Sequence, residues 1–159
     1  MFKTSPLSIP FMFKDAVNDN IKTQVNNKVN SIASKINNKD DSVYSDFDIY
    51  KAVDQFIIWE LTMNREYLDP RSVYMYMNGN VKLCAGPVWD FDRATFQNVT
   101  NVKNYGSDQK SIRIKEYNKW MCLTNMSESS EMTCVFYPQL IKEPTFQKAL
   151  QERWTVLYP

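Results

Sequence analysis

Asp90 and Asp92 stand two residues apart in the run Gly-Pro-Val-Trp-Asp-Phe-Asp-Arg-Ala-Thr-Phe (86–96), among the rings of Trp89, Phe91 and Phe96. An unpaired charge buried in such company costs several kcal/mol. Either a cation meets these acids, or they close a strand and face water. On an extended segment, residues two apart point to the same side, so both carboxylates can address one ion or its water shell. A second chemistry uses no metal: Asp90 opposite Glu66 would supply the two carboxylates of a glycosidase, if they lay roughly 5–10 Å apart across an open groove.

Other chemistries are closed by composition. The chain has no histidine, which removes Ser-His and Cys-His nucleophile systems, imidazole acid–base chemistry and His-based zinc sites. Its three cysteines lack Cys-x-x-Cys spacing, so a zinc cluster is not expected. Cys122 and Cys134 would close a short polar loop if they paired in an exported chain; three buried or free thiols is the alternative. A formal net charge of +1 gives no broad electrostatic footprint for nucleic acid or an anionic membrane. No run approaches the ~20 apolar residues of a membrane span. Catalysis here would run on carboxylates, amines, amides or a bound metal.

The elements that must position these groups follow from periodicity. The 159 residues suit one domain, and an aromatic share of 14% argues for packed rings rather than disorder. Ile21, Val25, Val29, Ile32 and Ile36 recur at spacings of three and four, predicting an amphipathic helix over 15–37. A second helix is expected from about Ser45 or Asp46, with Asp48 in its first turn, where acids suit the helix dipole. Its apolar residues, Phe47, Tyr50, Val53, Phe56, Ile57 and Leu61, predict burial on several sides. A loop over 65–72 follows, because Pro70 disfavours helix at Asp69. Strands at 73–77 and 81–85 flank Asn78-Gly79, a strong hairpin signal, and lead into the acidic motif. Residues 97–113 read as a long loop. The tail predicts a short helix, a Glu-Pro break and a final helix through Trp154 and Leu157, with Phe136, Tyr137, Phe146, Trp154 and Tyr158 as packing residues. Trp89, Phe91 and Phe96 are likewise expected in the core.

Taken in order, Phe-Ile-Ile-Trp-Glu-Leu-Thr-Met-Asn (56–64), Pro-Arg-Ser-Val-Tyr-Met-Tyr (70–76), Lys-Leu-Cys-Ala-Gly-Pro-Val-Trp-Asp-Phe-Asp (82–92) and the tail from Val135 to Trp154 resemble the spore-coat CotH family of secreted, protein-kinase-like bacterial proteins. The resemblance runs from about Phe11 onward. It implies an α+β, predominantly helical fold similar to a protein-kinase C-lobe, with a small antiparallel hairpin carrying the Trp-Asp-Phe-Asp motif. It also implies ATP- and Mg²⁺-dependent phosphoryl transfer to a protein Ser/Thr substrate, and an extracytoplasmic or cell-surface location.

Asp90 then corresponds to the kinase aspartate that holds Mg²⁺, with Asp92 beside it. Such chemistry depends on positioning and on neutralising triphosphate charge, and Mg²⁺ needs only one or two protein carboxylates. The family's proton-accepting acid falls in an Asn-x-Asp pattern, which here reads Asn64-Arg65-Glu66. Glu66 is therefore the implied base, with Asp69 as substitute, and Asn64 a second metal or loop-ordering ligand. The extra methylene of Glu66 displaces the carboxylate, and about 1 Å of misplacement costs ~100-fold in rate. The family's nucleotide-binding N-lobe has no counterpart among these residues, which hold three scattered glycines and no Gly-rich loop. The chain thus resembles the C-terminal portion of a CotH-like domain, with 1–12 expected as loop or disordered. The alternative is an exported, non-catalytic binding or structural module on the same fold.

Overall fold

The computed structural model describes residues 1–64, 73–79, 82–89, 91, 95, 120–123 and 134–159. Helix dominates them, joined by two small antiparallel hairpins, giving a mixed α+β architecture.

Residues 1–12, expected as loop, fold into the first hairpin. β1 (Phe2–Lys3) pairs with β2 (Pro10–Phe11), Phe2 opposite Phe11. The sequence hides this because each strand is only two residues long, yet Ile9 is buried and Phe11 packs near Phe136.

α1 (Asp19–Asn37) starts four residues later than periodicity predicts. Asn18 caps it, accepting from the Ile21 amide. Only its second half is a core element: Val29, Ile32, Ala33 and Ile36 are buried, whereas Ile21 is exposed. On the same helix Lys28 and Lys35, two turns apart, both reach Asp46, at 2.5 and 2.6 Å. That carboxylate clamps a 3₁₀ turn (Asp41–Ser45) to α1.

α2 (Ile49–Thr62) begins after Asp48, not at Ser45 or Asp46. The residue expected inside the first turn is instead the cap, accepting from the amides of Tyr50 and Lys51. An acid in that position also satisfies two of the helix's orphan donors. Ala52, Val53, Phe56 and Trp59 are fully buried, but Tyr50 and Leu61 face outward, so α2 is covered on fewer sides than its composition suggests.

β3 (Met75–Asn78) and β4 (Lys82–Ala85) form the second hairpin, with Met75 opposite Ala85 and Asn78 opposite Lys82. Gly79 takes φ +58 at the turn, a conformation glycine adopts without penalty. The far edge of β4 is used as well: Leu83 donates to the Asp46 carbonyl and accepts from the Asp48 amide. The start of α2 is thereby pinned to the strand that leads into the acidic motif.

α3 (Tyr137–Leu140) and α4 (Pro144–Leu157) close the core, Pro144 opening the last helix where its missing N–H is harmless. Phe56 meets Phe146 edge-on at 5.7 Å, and Arg153 pairs with Asp54 at 2.6 Å, joining α4 to α2. Tyr137 donates its hydroxyl to Gln55 Oε1, and Gln55 Nε2 donates to the Tyr74 carbonyl, so a buried polar chain links α3, α2 and the hairpin. The packing expected of the tail holds for Phe136, Tyr137 and Phe146. Trp154 and Tyr158 depart from it and lie on the surface. Cys84, Cys122 and Cys134 are all buried, and Cys122 and Cys134 are not joined by a disulfide. Among the described residues, no helix is long and apolar enough to cross a membrane.

Candidate functional site at the end of α2

α2 stops at Met63, a non-glycine residue in the left-handed region (φ 51, ψ 37). The next residue, Asn64, is fully buried at 0% exposure. A buried primary amide must be hydrogen-bonded, and Asn64 Nδ2 donates to Thr95 Oγ1 at 2.8 Å. Thr95 Oγ1 donates in turn to the Phe91 carbonyl, also at 2.8 Å. The hydroxyl thus accepts from one partner and donates to the other, which fixes its orientation.

A second contact holds the same segment. The Phe91 ring stacks on Trp59 with centroids 4.9 Å apart and planes 26° apart. Trp59 is completely buried in the core. Two residues at the C-terminal end of α2 therefore grip the motif, one by its ring and one by its backbone. From the other side the segment leaves β4 through Gly86, whose φ of +120 is open only to glycine.

Of the residues to which the sequence assigns chemistry, Asn64 is described; Glu66, Asp69, Asp90 and Asp92 lie outside the described residues. Asn64, expected as a metal or loop-ordering ligand, donates its amide nitrogen to Thr95. Asp90 and Asp92 flank Phe91 in sequence, so the anchored residue is the one between them. Among the described residues, no group of three or more Cys, Asp or Glu is placed to hold a metal. Of the rings expected in the core, Phe91 is half-buried and packs against it, Trp89 is 61% exposed and is not core packing, and Phe96 lies outside the described residues.

Two residues of this region were not singled out by sequence reasoning. Thr95 carries no motif signal; its one cue is the four-residue spacing to Phe91, at which a threonine hydroxyl reaches a backbone carbonyl. Glu60 was legible as an acid within the apolar run 56–63. Its carboxylate accepts the amides of Met121 and Cys122, the latter at 2.9 Å, and so caps a short turn, Met121–Leu123. Burial pushes its pKa above the ordinary carboxylate value, while the two amide bonds pull the other way.

Set against known proteins, the chain matches no family model, no curated protein and no solved structure.

Proposed function

We propose that the chain is the C-terminal portion of a CotH-like, kinase-fold phosphotransferase domain, built to present Asp90 to a Mg²⁺ ion that accompanies ATP. Mg²⁺ in such a site neutralises charge on the transferred phosphoryl group. Asp92 stands beside it as second carboxylate. Glu66, or Asp69, takes the proton of a protein Ser/Thr hydroxyl. The extracytoplasmic location implied by the resemblance belongs to the same proposal.

The observation that supports this reading most is the double hold on Phe91. A carboxylate that must meet a metal within a fraction of an ångström needs a backbone that does not drift. The Asn64–Thr95–Phe91 chain and the Trp59–Phe91 stack supply that stiffness at the residue between the two acids.

A specific pair of observations favours a second reading, a non-catalytic binding module. Glu66 replaces the family's aspartate, and the surface exposes Trp89, Trp120 and Trp154. Thermal unfolding with Mg²⁺, ATP and both together separates the two. Nucleotide at ~100 Kd stabilises a folded chain by about 2.7 kcal/mol. The phosphotransferase reading expects a rise in Tm that needs both components and disappears in Asp90→Asn. A flat Tm in the wild type supports the binding module.

A further inference from the structure

Between α2 and α4 lies a groove of about 590 Å³, in the size range of small-molecule sites. Its walls include Phe56, Leu61, Trp120, Leu150 and Trp154. Phe56 and Trp120 meet at 5.2 Å with planes tilted 56°, forming an aromatic corner. Leu61 is 56% exposed, Trp120 44% and Trp154 42%, unusually open for such large apolar side chains.

Among the described residues, one charged group lines this groove, Glu60; the other polar walls, Gln147 and Gln151, are neutral. Glu60 Oε2 accepts the Met121 amide and Oε1 the Cys122 amide, with the Cys122 thiol as a further donor to the carboxylate; its roughly four lone-pair sites still leave room for a ligand. Among the described residues, no lysine or arginine pairs with it. A partly desolvated anion with no counter-ion among the described residues, set among indole and phenyl rings, is complementary to a cation: carboxylate and π-face both attract positive charge.

We propose that this groove binds a small organic cation with an apolar body, an alkyl- or aryl-ammonium, its charge held between Glu60 and the indoles of Trp120 and Trp154. The hydrocarbon portion lies along Leu61 and Leu150. A neutral apolar compound would find the same walls but gain nothing from Glu60, and this difference identifies the ligand class.

The test titrates benzyltrimethylammonium into the chain at neutral pH, followed by tryptophan fluorescence and calorimetry. Choline and its uncharged counterpart 3,3-dimethylbutan-1-ol isolate the contribution of charge. Saturable binding of the ammonium compounds is expected, with the neutral alcohol at least tenfold weaker. Glu60→Gln is expected to weaken benzyltrimethylammonium at least tenfold. Because that substitution also touches the Met121–Leu123 turn, Trp154→Ala serves as a second variant on an exposed side chain. It is expected to weaken binding several-fold while leaving the helical circular dichroism intact. Absence of saturable binding, equal binding of choline and the alcohol, or unchanged affinity in a folded Trp154→Ala chain would each overturn the proposal.

Discussion

Asn64 and Thr95, 31 residues apart in the chain, are joined by a 2.8 Å hydrogen bond from a fully buried amide to a hydroxyl. The same hydroxyl holds the Phe91 carbonyl. The end of a core helix is thereby tied to the residue between two acids.

Thr95→Val preserves the shape of the side chain and removes its oxygen. Asn64 loses the acceptor of its Nδ2–H, and Phe91 loses a donor to its carbonyl. Leaving buried polar groups without these bonds costs about 1–3 kcal/mol. For a chain of this size that is a fall in Tm of roughly 2–4 °C per kcal/mol. In a double-mutant cycle, Asn64→Ala and Thr95→Ala should couple by at least ~0.5 kcal/mol. Strict additivity would show that the bond carries no energy.

Phe91→Ala and Trp89→Ala alter adjacent parts of one motif with opposite expectations. Removing the Phe91 ring strips the stack on Trp59, worth about 0.5–1.5 kcal/mol beyond its buried area, so a total loss near 2 kcal/mol is expected. Trp89 is exposed, and its truncation should stay within about 0.5 kcal/mol of wild type. Denaturant midpoints measure both. Equal losses would contradict the burial assigned to these rings.

Asp48→Ala removes the α2 cap and its bonds to the Tyr50 and Lys51 amides. A loss of about 1 kcal/mol is expected, with Asp48→Asn recovering most of it. Chemical denaturation of the three proteins is the measurement, and an Asn variant as unstable as the Ala variant would be inconsistent with capping.

Asp46 and Glu60 should give stability slopes of opposite sign. Hydrogen bonds from Lys28 and then Lys35 hold the Asp46 carboxyl below its ordinary value of 3.8. Its contribution is therefore present above that value and lost as pH falls through the lowered folded pKa. Asp46→Asn should cost roughly 1 kcal/mol at neutral pH, since both ion pairs are partly solvated, and converge with wild type in acid. Glu60 is raised above its ordinary 4.5, chiefly by burial. Its contribution is present below 4.5 and lost as pH rises through the folded pKa. Glu60→Gln should therefore gain on the wild type as pH increases above 4.5. Denaturation across pH 3–8, a range set around these carboxyl values, measures both, and parallel profiles would refute the assignments.

Periodicity and turn chemistry made the helices, the second hairpin and the Glu-Pro break legible. The apolar stripe of α1 is real where it meets the core, at Val29 to Ile36, and misleading at Ile21, which has the right spacing yet is exposed. Asp48 was recognised as an acid at a helix start, but a cap and a first-turn acid look alike until the backbone is known. Trp89 and Trp154 were expected in the core because tryptophan is apolar; which side of a strand end or helix faces outward depends on tertiary contacts that composition does not carry. The first hairpin was missed because two-residue strands offer no alternation to read. At the site, the acids were visible as a motif. Thr95 was not, because its role arises from a contact 31 residues distant.

The most direct measurement of the central claim is binding of Mn²⁺, as a paramagnetic stand-in for Mg²⁺, read by water-proton relaxation and by line broadening of backbone amides. Saturable binding is expected in the wild type, with broadening centred on Phe91 and Thr95. Asp90→Asn should abolish it, and Thr95→Val should weaken it while leaving both acids in place. Equal Mn²⁺ affinity in the wild type and Asp90→Asn, or broadening confined to residues remote from Phe91, would contradict the assignment of this segment to a metal.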